Sequence, residues 1–123
     1  MQNFRNLHVW KKSHGLALVI YQLAPALQKR EAWPLRDQIF RAVISIPSNI
    51  AEGTGRGSDP DFRRFLWNAL GSINELDSQL LLARDLGFLT SEVHSRVGND
   101  LSEVRKMLIG LIKALKGGRS ADS

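Results

Sequence analysis

The amino-acid sequence predicts an all-α protein, an antiparallel up-down-up-down four-helix bundle that assembles as a homo-oligomer. Apolar residues recur at helical spacing in four segments, and short links join those segments. Sustained strand-like alternation and Asn-Gly or Asp-Gly hairpins are missing. The chain has 123 residues, 43% of them hydrophobic, which suits one globular domain. We expect the bundle to occupy residues 1–116 and a flexible C-terminal tail to occupy residues 117–123.

The first two helical segments both contain proline. The first runs from Leu7 to Leu27, and Pro25 is expected to kink or end it. The second opens at Pro34, because proline suits the first turn of a helix. Pro47 lies in its interior and lacks an amide hydrogen, so we expect a bend there. Gly53 is the predicted end of this segment.

A glycine-rich string separates the second segment from the third. Residues 53–58 read GTGRGS, but no strand precedes them and no Gly-Lys-Ser/Thr follows, so a flexible link is expected rather than a phosphate-binding loop. Ser58 or Asp59 is the predicted N-cap. The third segment, Asp59 to Leu86, is the longest and has a wide apolar stripe; Gly87 ends it. The fourth starts near Ser91 and carries a heptad seam of Val97, Leu101, Val104, Leu108, Leu111 and Leu115.

The third segment carries a second stripe on the side away from its core face. At 100° per residue its members cluster within about 40° of Trp67. Small residues between two large apolar ones resemble a helix–helix contact surface, so we predict an oligomer interface here. The alternative is a set of scattered exposed apolar residues, which most proteins have. The stripe consists of Trp67, Gly71, Asn74, Ser78 and Leu81.

The net charge of +5 is predicted to collect at one end of the bundle. In an up-down-up-down order, the start of the first helix, the second link and the end of the fourth helix meet. Nine bases gather there (Arg5, Lys11, Lys12, Arg56, Arg63, Arg64, Lys113, Lys116 and Arg119) against four acids (Glu52, Asp59, Asp61 and Asp122).

This basic end is a candidate site for the backbone of RNA or DNA. The predicted contacts are Lys11, Lys12, Arg56, Arg63, Arg64, Lys113 and Lys116. In the alternative, Asp59–Arg63 and Asp61–Arg64 are ordinary intrahelical pairs and the lysines are only solvated. Aromatic platforms interleaved with the bases are not evident in the sequence, which weakens the case for single-strand binding.

Motifs for catalysis, cofactors and metals are not found. The chain has no cysteine, its three histidines (His8, His14 and His94) are scattered, and no Glu-x-x-His pair occurs. We therefore predict no catalytic, cofactor or metal site, and a protein that is not an enzyme. No apolar run approaches the ~20 residues that a bilayer requires, so a cytoplasmic protein without membrane contact is expected.

One stretch resembles a known family. Residues 38–53, QIFRAVISIPSNIAEG, followed by Gly55-Arg56, look like the signature of the four-helix-bundle family also called the 23S ribosomal RNA intervening-sequence protein family. The resemblance continues through residues 62–66, 69–76 (ALGSINEL) and 83–89 (ARDLGFL), and covers about residues 4–115. The chain departs from the pattern at Phe40, where arginine is common, and at Leu27-Gln28, where Phe-Pro is typical.

The resemblance implies a bundle that assembles into a homopentamer with a central channel. The chain is also similar to the accessory variability determinant proteins of diversity-generating retroelements, which form basic pentamers that bind nucleic acid and a reverse transcriptase. Expected partners are therefore further copies of the chain, RNA or DNA, and a reverse transcriptase or other protein. The signature residues are expected to have only structural roles; they are Pro47, Asn49, Glu52, Gly53 and Arg56. Asn49 and Glu52 are expected either to bond the backbone that Pro47 frees or to cap the next helix.

Overall fold

Four α-helices make up the protein, and no β-strand occurs in the part of the chain that the structure describes. The computed structural model describes residues 3–23 and 25–122, with side chains described up to residue 115. The helices are α1 (His8–Tyr21), α2 (Trp33–Thr54), α3 (Asp59–Asp85) and α4 (Ser91–Asp122), and short 3-10 helices lie at Phe4–Asn6, Pro25–Gln28 and Arg30–Ala32.

All four helices enclose one aliphatic core. Helix α1 packs against α2 and α4, and α3 packs against the same two helices. Burying an aliphatic side chain contributes roughly 1.5–3 kcal/mol, so this core is the main source of stability. Its largest fully buried side chains are Ile20, Leu27, Ile39, Val43, Ile46, Ile50, Leu66, Ile73, Leu76, Leu80, Leu101 and Leu108.

Helix α1 is shorter than the predicted segment, which extended to Leu27. It ends at Tyr21, and Pro25 begins a 3-10 helix. Proline removes a helical hydrogen bond and its ring clashes with the preceding turn, so the helix ends before Pro25 rather than kinking there. Leu23 and Leu27 are nevertheless buried in the core.

Helix α2 continues through Pro47 as far as Thr54. The Asn49 side chain donates from Nδ2 to the carbonyl of Ser45 at 2.8 Å, and the Ser45 hydroxyl donates to the carbonyl of Ala42 at 2.7 Å. Neither bond reaches the carbonyl of Val43, which is the group that loses its amide partner to Pro47. The bend expected at Pro47 stays a prediction.

Gly53 was predicted to end α2, but the helix continues to Thr54, and Gly53 lies buried in its last turn. A Cβ atom at this position would lie 2.8 Å from Cδ1 of Phe62 and 3.0 Å from Cβ of Phe65, both on α3. Neither contact leaves room for a methyl group. Glycine is therefore required here because α3 approaches the backbone of α2.

The two ends of α3 are set by capping. The Ser58 hydroxyl accepts a hydrogen bond from the amide of Asp61 at 3.3 Å, so Ser58 is the N-cap. After Asp85 the chain turns through Gly87, which has φ of 84°. The amide of Phe88 donates to the carbonyl of Ala83 at 2.8 Å, which closes the end of the helix.

The predicted seam of α4 is correct as far as Leu108. Beyond it the buried residue is Ile112, 3% exposed, whereas Leu111 and Leu115 are only half-buried. The burial pattern follows the 3.6-residue period of a straight helix instead of a strict heptad. The helix extends to Asp122, beyond the predicted bundle end at residue 116; the flexibility of residues 117–123 stays a prediction.

Replacing Gly53 by alanine tests the close approach of α2 and α3. We expect Gly53→Ala to lower the free energy of unfolding by about 1–3 kcal/mol, because the methyl group displaces two phenylalanine side chains. Gly98→Ala on α4 is the matched control: nothing lies within 4 Å of its added Cβ, and it should stabilise by about 0.5–1 kcal/mol. Urea denaturation measures both, and equal effects would contradict the assignment.

Candidate nucleic-acid and contact surfaces

The three segments of the predicted basic end lie near one another. Leu115 of α4 lines a pocket together with residues of the 55–58 link and its flanks. Leu7, directly before α1, lies with Met107 and Leu111 of α4 around another small groove. The start of α1 and the α2–α3 link thus each lie beside the C-terminal part of α4.

Two of the predicted basic contacts are held in a cluster around Phe65. Arg56 donates from Nη2 to Oε2 of Glu52 at 2.7 Å, and Arg64 donates from Nε to Oδ1 of Asp61 at 3.3 Å. Both guanidinium groups also lie 4.6 Å from the centroid of the Phe65 ring. The Asp61–Arg64 pair is one of the two pairs expected in the alternative interpretation. Glu52 pairs with Arg56, and the N-cap of α3 is Ser58.

Lys12 lies between α1 and α4. Its Nζ is 3.0 Å from Oε2 of Glu103 and 3.6 Å from Oδ1 of Asp100. The hydrogen bond to Glu103, reinforced by the charge of that carboxylate, raises the pKa of Lys12 above its ordinary 10.5. Lys12 therefore faces two acids that are not among the four predicted at the basic end.

The other predicted bases differ in their exposure. Lys11 and Lys113 are exposed, and Lys113 lies beside Trp67. Arg63 is half-buried, and its Nη1 atom is buried without a hydrogen-bond partner among the described residues. Arg5 lies over the Phe4 ring and donates to the side chain of Asn3. The side chains of Lys116 and Arg119 lie outside the described residues.

The α3 stripe (Trp67, Gly71, Asn74, Ser78 and Leu81) is exposed along its whole length. Trp67 is 52% exposed and Leu81 39% exposed, and Leu82 borders the stripe. Arg105 of α4 donates to Oδ1 of Asn74 at 3.0 Å and lies 3.4 Å from Oδ2 of Asp77. This link between helices holds the middle of the stripe in place.

An apolar groove that was not predicted from the sequence lies between α1 and α2. The groove has a volume of about 450 Å³, and within it the Trp10 ring stacks on His14 with centroids 4.7 Å apart. Leu18 and Ile44 lie outside the core faces of their helices, which is the signal that could have revealed it. The apolar groove is lined by Phe4, Trp10, His14, Ala17, Leu18, Tyr21, Ile44, Pro47, Ser48 and Ala51.

Aromatic and basic side chains alternate at one place outside the predicted basic end. Arg36 lies 5.4 Å from the Trp33 ring and 5.9 Å from the Phe40 ring, and Arg30 lies 5.7 Å from Trp33. Phe40 in turn stacks on Tyr21 at 4.0 Å. Trp33, Arg36 and Phe40 lie three and four residues apart on α2, a spacing that is visible in the sequence, whereas the stack of Phe40 on Tyr21 joins α2 to α1 and is not. It also uses Phe40, where arginine is common in the resembling family.

Metal ligands do not converge in the described part of the chain. No group of three or more histidine, aspartate or glutamate side chains that could hold a metal ion occurs there. In the same described residues, no helix is both long and apolar enough to cross a bilayer.

The fold and these surfaces define the class as small four-helix proteins with exposed apolar faces. The sequence model of the family described as 23S rRNA-intervening sequence protein matches residues 5–110, so the chain belongs to this family. The chain is also similar, at 33% identity and a TM-score of 0.80, to a protein of unknown function from Bacteroides thetaiotaomicron assigned to the S23 ribosomal protein family; the similarity covers 85% of this chain and 98% of that one. None of the curated proteins matches the chain.

The contact between Arg105 and the α3 stripe is expected to stabilise the packing of α3 on α4. Arg105→Met should lower the free energy of unfolding by about 0.5–1 kcal/mol, and less at high salt, because the contacts are partly exposed. Arg84→Met is the control, since Arg84 pairs only with its sequence neighbour Asp85. Urea denaturation at low and high salt measures both variants. A larger loss for Arg84→Met would contradict the expected role of Arg105.

Proposed function

We propose that the protein is a non-enzymatic homo-oligomer of antiparallel four-helix bundles whose basic end contacts the backbone of RNA or DNA. The observation that carries the proposal is the meeting of three basic segments at one end, through Leu115 at the α2–α3 link and Leu111 beside Leu7. Lys12 beside Glu103 and Tyr21 beside Phe40 support the antiparallel order of neighbouring helices. A pentamer in the cytoplasm is the form that the family resemblance favours.

Phosphate groups can compete with the acids that pair with the arginines of the basic end. The Glu52–Arg56 and Asp61–Arg64 pairs are largely exposed, and exposed pairs contribute at most about 1 kcal/mol. Phosphate oxygens accept stronger, charge-assisted hydrogen bonds from guanidinium groups. Because each subunit repeats this end, weak contacts would add up across an oligomer.

Removing three arginines tests the basic end. The variant Arg56→Gln, Arg63→Gln, Arg64→Gln should bind single-stranded RNA and duplex DNA more than tenfold more weakly, with an unchanged circular dichroism spectrum. Fluorescence anisotropy at about 50 and 200 mM salt measures affinity, and the wild-type affinity should fall steeply between them.

The matched control removes three exposed bases elsewhere on the bundle. Lys29→Gln, Arg41→Gln, Arg96→Gln lowers the net charge by the same amount. We expect its affinity to stay within threefold of wild type. Equal losses in the two triple variants would show that only the overall charge matters, and unchanged affinity in the arginine variant would place the site elsewhere.

A second candidate is a protein-interaction adaptor that binds an acidic protein partner and no nucleic acid. The exposed apolar side chains of the groove and of the α3 stripe favour it, because contiguous apolar patches mark protein contact sites. A reverse transcriptase or another protein would then be the partner. Absent or salt-insensitive nucleic-acid binding in the anisotropy measurement would favour this adaptor.

A further inference from the structure

We infer that the apolar groove between α1 and α2 receives the α3 stripe of a second copy of the chain. The inference rests on the proposed homo-oligomer and names the two surfaces that build it. The sequence predicted the stripe as a contact surface but named no partner for it, and the groove is that partner.

Large exposed apolar side chains concentrate at two places in the described part of the chain. Three line the groove and three lie on or beside the α3 stripe, each of them 39–54% exposed. Residues of this size are normally exposed singly, and contiguous patches mark contact sites. The groove group is Leu18, Tyr21 and Ile44, the stripe group is Trp67, Leu81 and Leu82, and the remaining ones are Trp33, Leu86 and Met107.

The two patches lie on different sides of the bundle. Helix α1 packs against α2 and α4, and α3 packs against the same two helices, so α1 and α3 are diagonal to each other. A twofold contact through one patch would leave the other in water. A head-to-tail contact, groove to stripe, covers both patches in every copy and generates a ring when the rotation closes.

Shape supports this pairing. The groove is concave, and Ala17 and Ala51 among its lining residues leave space between the aromatic side chains. On the stripe, Trp67 projects from α3, while the neighbouring Gly71 has no side chain and open space around it. A large side chain next to a bare stretch of helix allows close approach of the partner backbone.

Complementation between two variants tests the inference. Ile44→Arg blocks the groove and Leu81→Arg blocks the stripe; both side chains are partly exposed, so the fold should tolerate the change. Each variant alone should be monomeric by light scattering at about 50 μM, above the Kd of a stable oligomer. An equimolar mixture should form a 1:1 dimer, because one copy retains an intact stripe and the other an intact groove.

Several outcomes would overturn the inference. They are a mixture that remains monomeric, a groove variant that keeps the wild-type mass, or a stripe variant that does so. A monomeric wild type would instead refute the proposed homo-oligomer itself, and this inference with it. Met107→Arg, which changes an exposed apolar residue outside both surfaces, should keep the wild-type mass. If circular dichroism shows an unfolded variant, Ser48→Arg in the groove and Ser78→Arg on the stripe replace polar exposed residues for the same test.

Discussion

The contact between the end of α2 and the start of α3 at Gly53 positions two arginines of the candidate site, Arg56 and Arg64. Because Gly53 has no side chain, Phe62 and Phe65 pack directly against the α2 backbone. Phe65 in turn lies between the guanidinium groups of Arg56 and Arg64, so the same contact that joins two helices also positions two bases. The Gly-Thr-Gly-Arg string is thus better explained by helix packing and arginine placement than by phosphate-loop chemistry.

Helices and most of the core could be predicted from the sequence because burial follows local periodicity. The apolar spacing in α2 and α3 identifies their buried faces, and Ser58 has the chemistry of an N-cap. The predicted helix ends were wrong where a single residue decides whether a helix continues or stops. Helix α1 ends at Tyr21, before Pro25, whereas α2 continues through Pro47, and the sequence pattern alone does not distinguish the two prolines.

The charge pattern could be predicted only in part, because ion pairs between helices depend on rotation and axial register. Lys12 belongs to a basic run in the sequence, yet it faces Asp100 and Glu103 across the α1–α4 contact. The apolar groove was missed for the same reason. It is formed by residues of α1 and α2 that lie just outside each helix's core face and adjoin only after packing.

Self-association and charge act together in this protein if groove and stripe pair as inferred. Copies in a closed ring are related by rotation about one axis, so corresponding ends of all subunits lie at the same height along that axis. The bases near the α2–α3 link would then form a circle rather than scattered patches. A flexible polyanion bound at one subunit would meet the next at high effective concentration. Partly paired arginines such as Arg56 and Arg64, weak as single contacts, would suffice for binding in that arrangement.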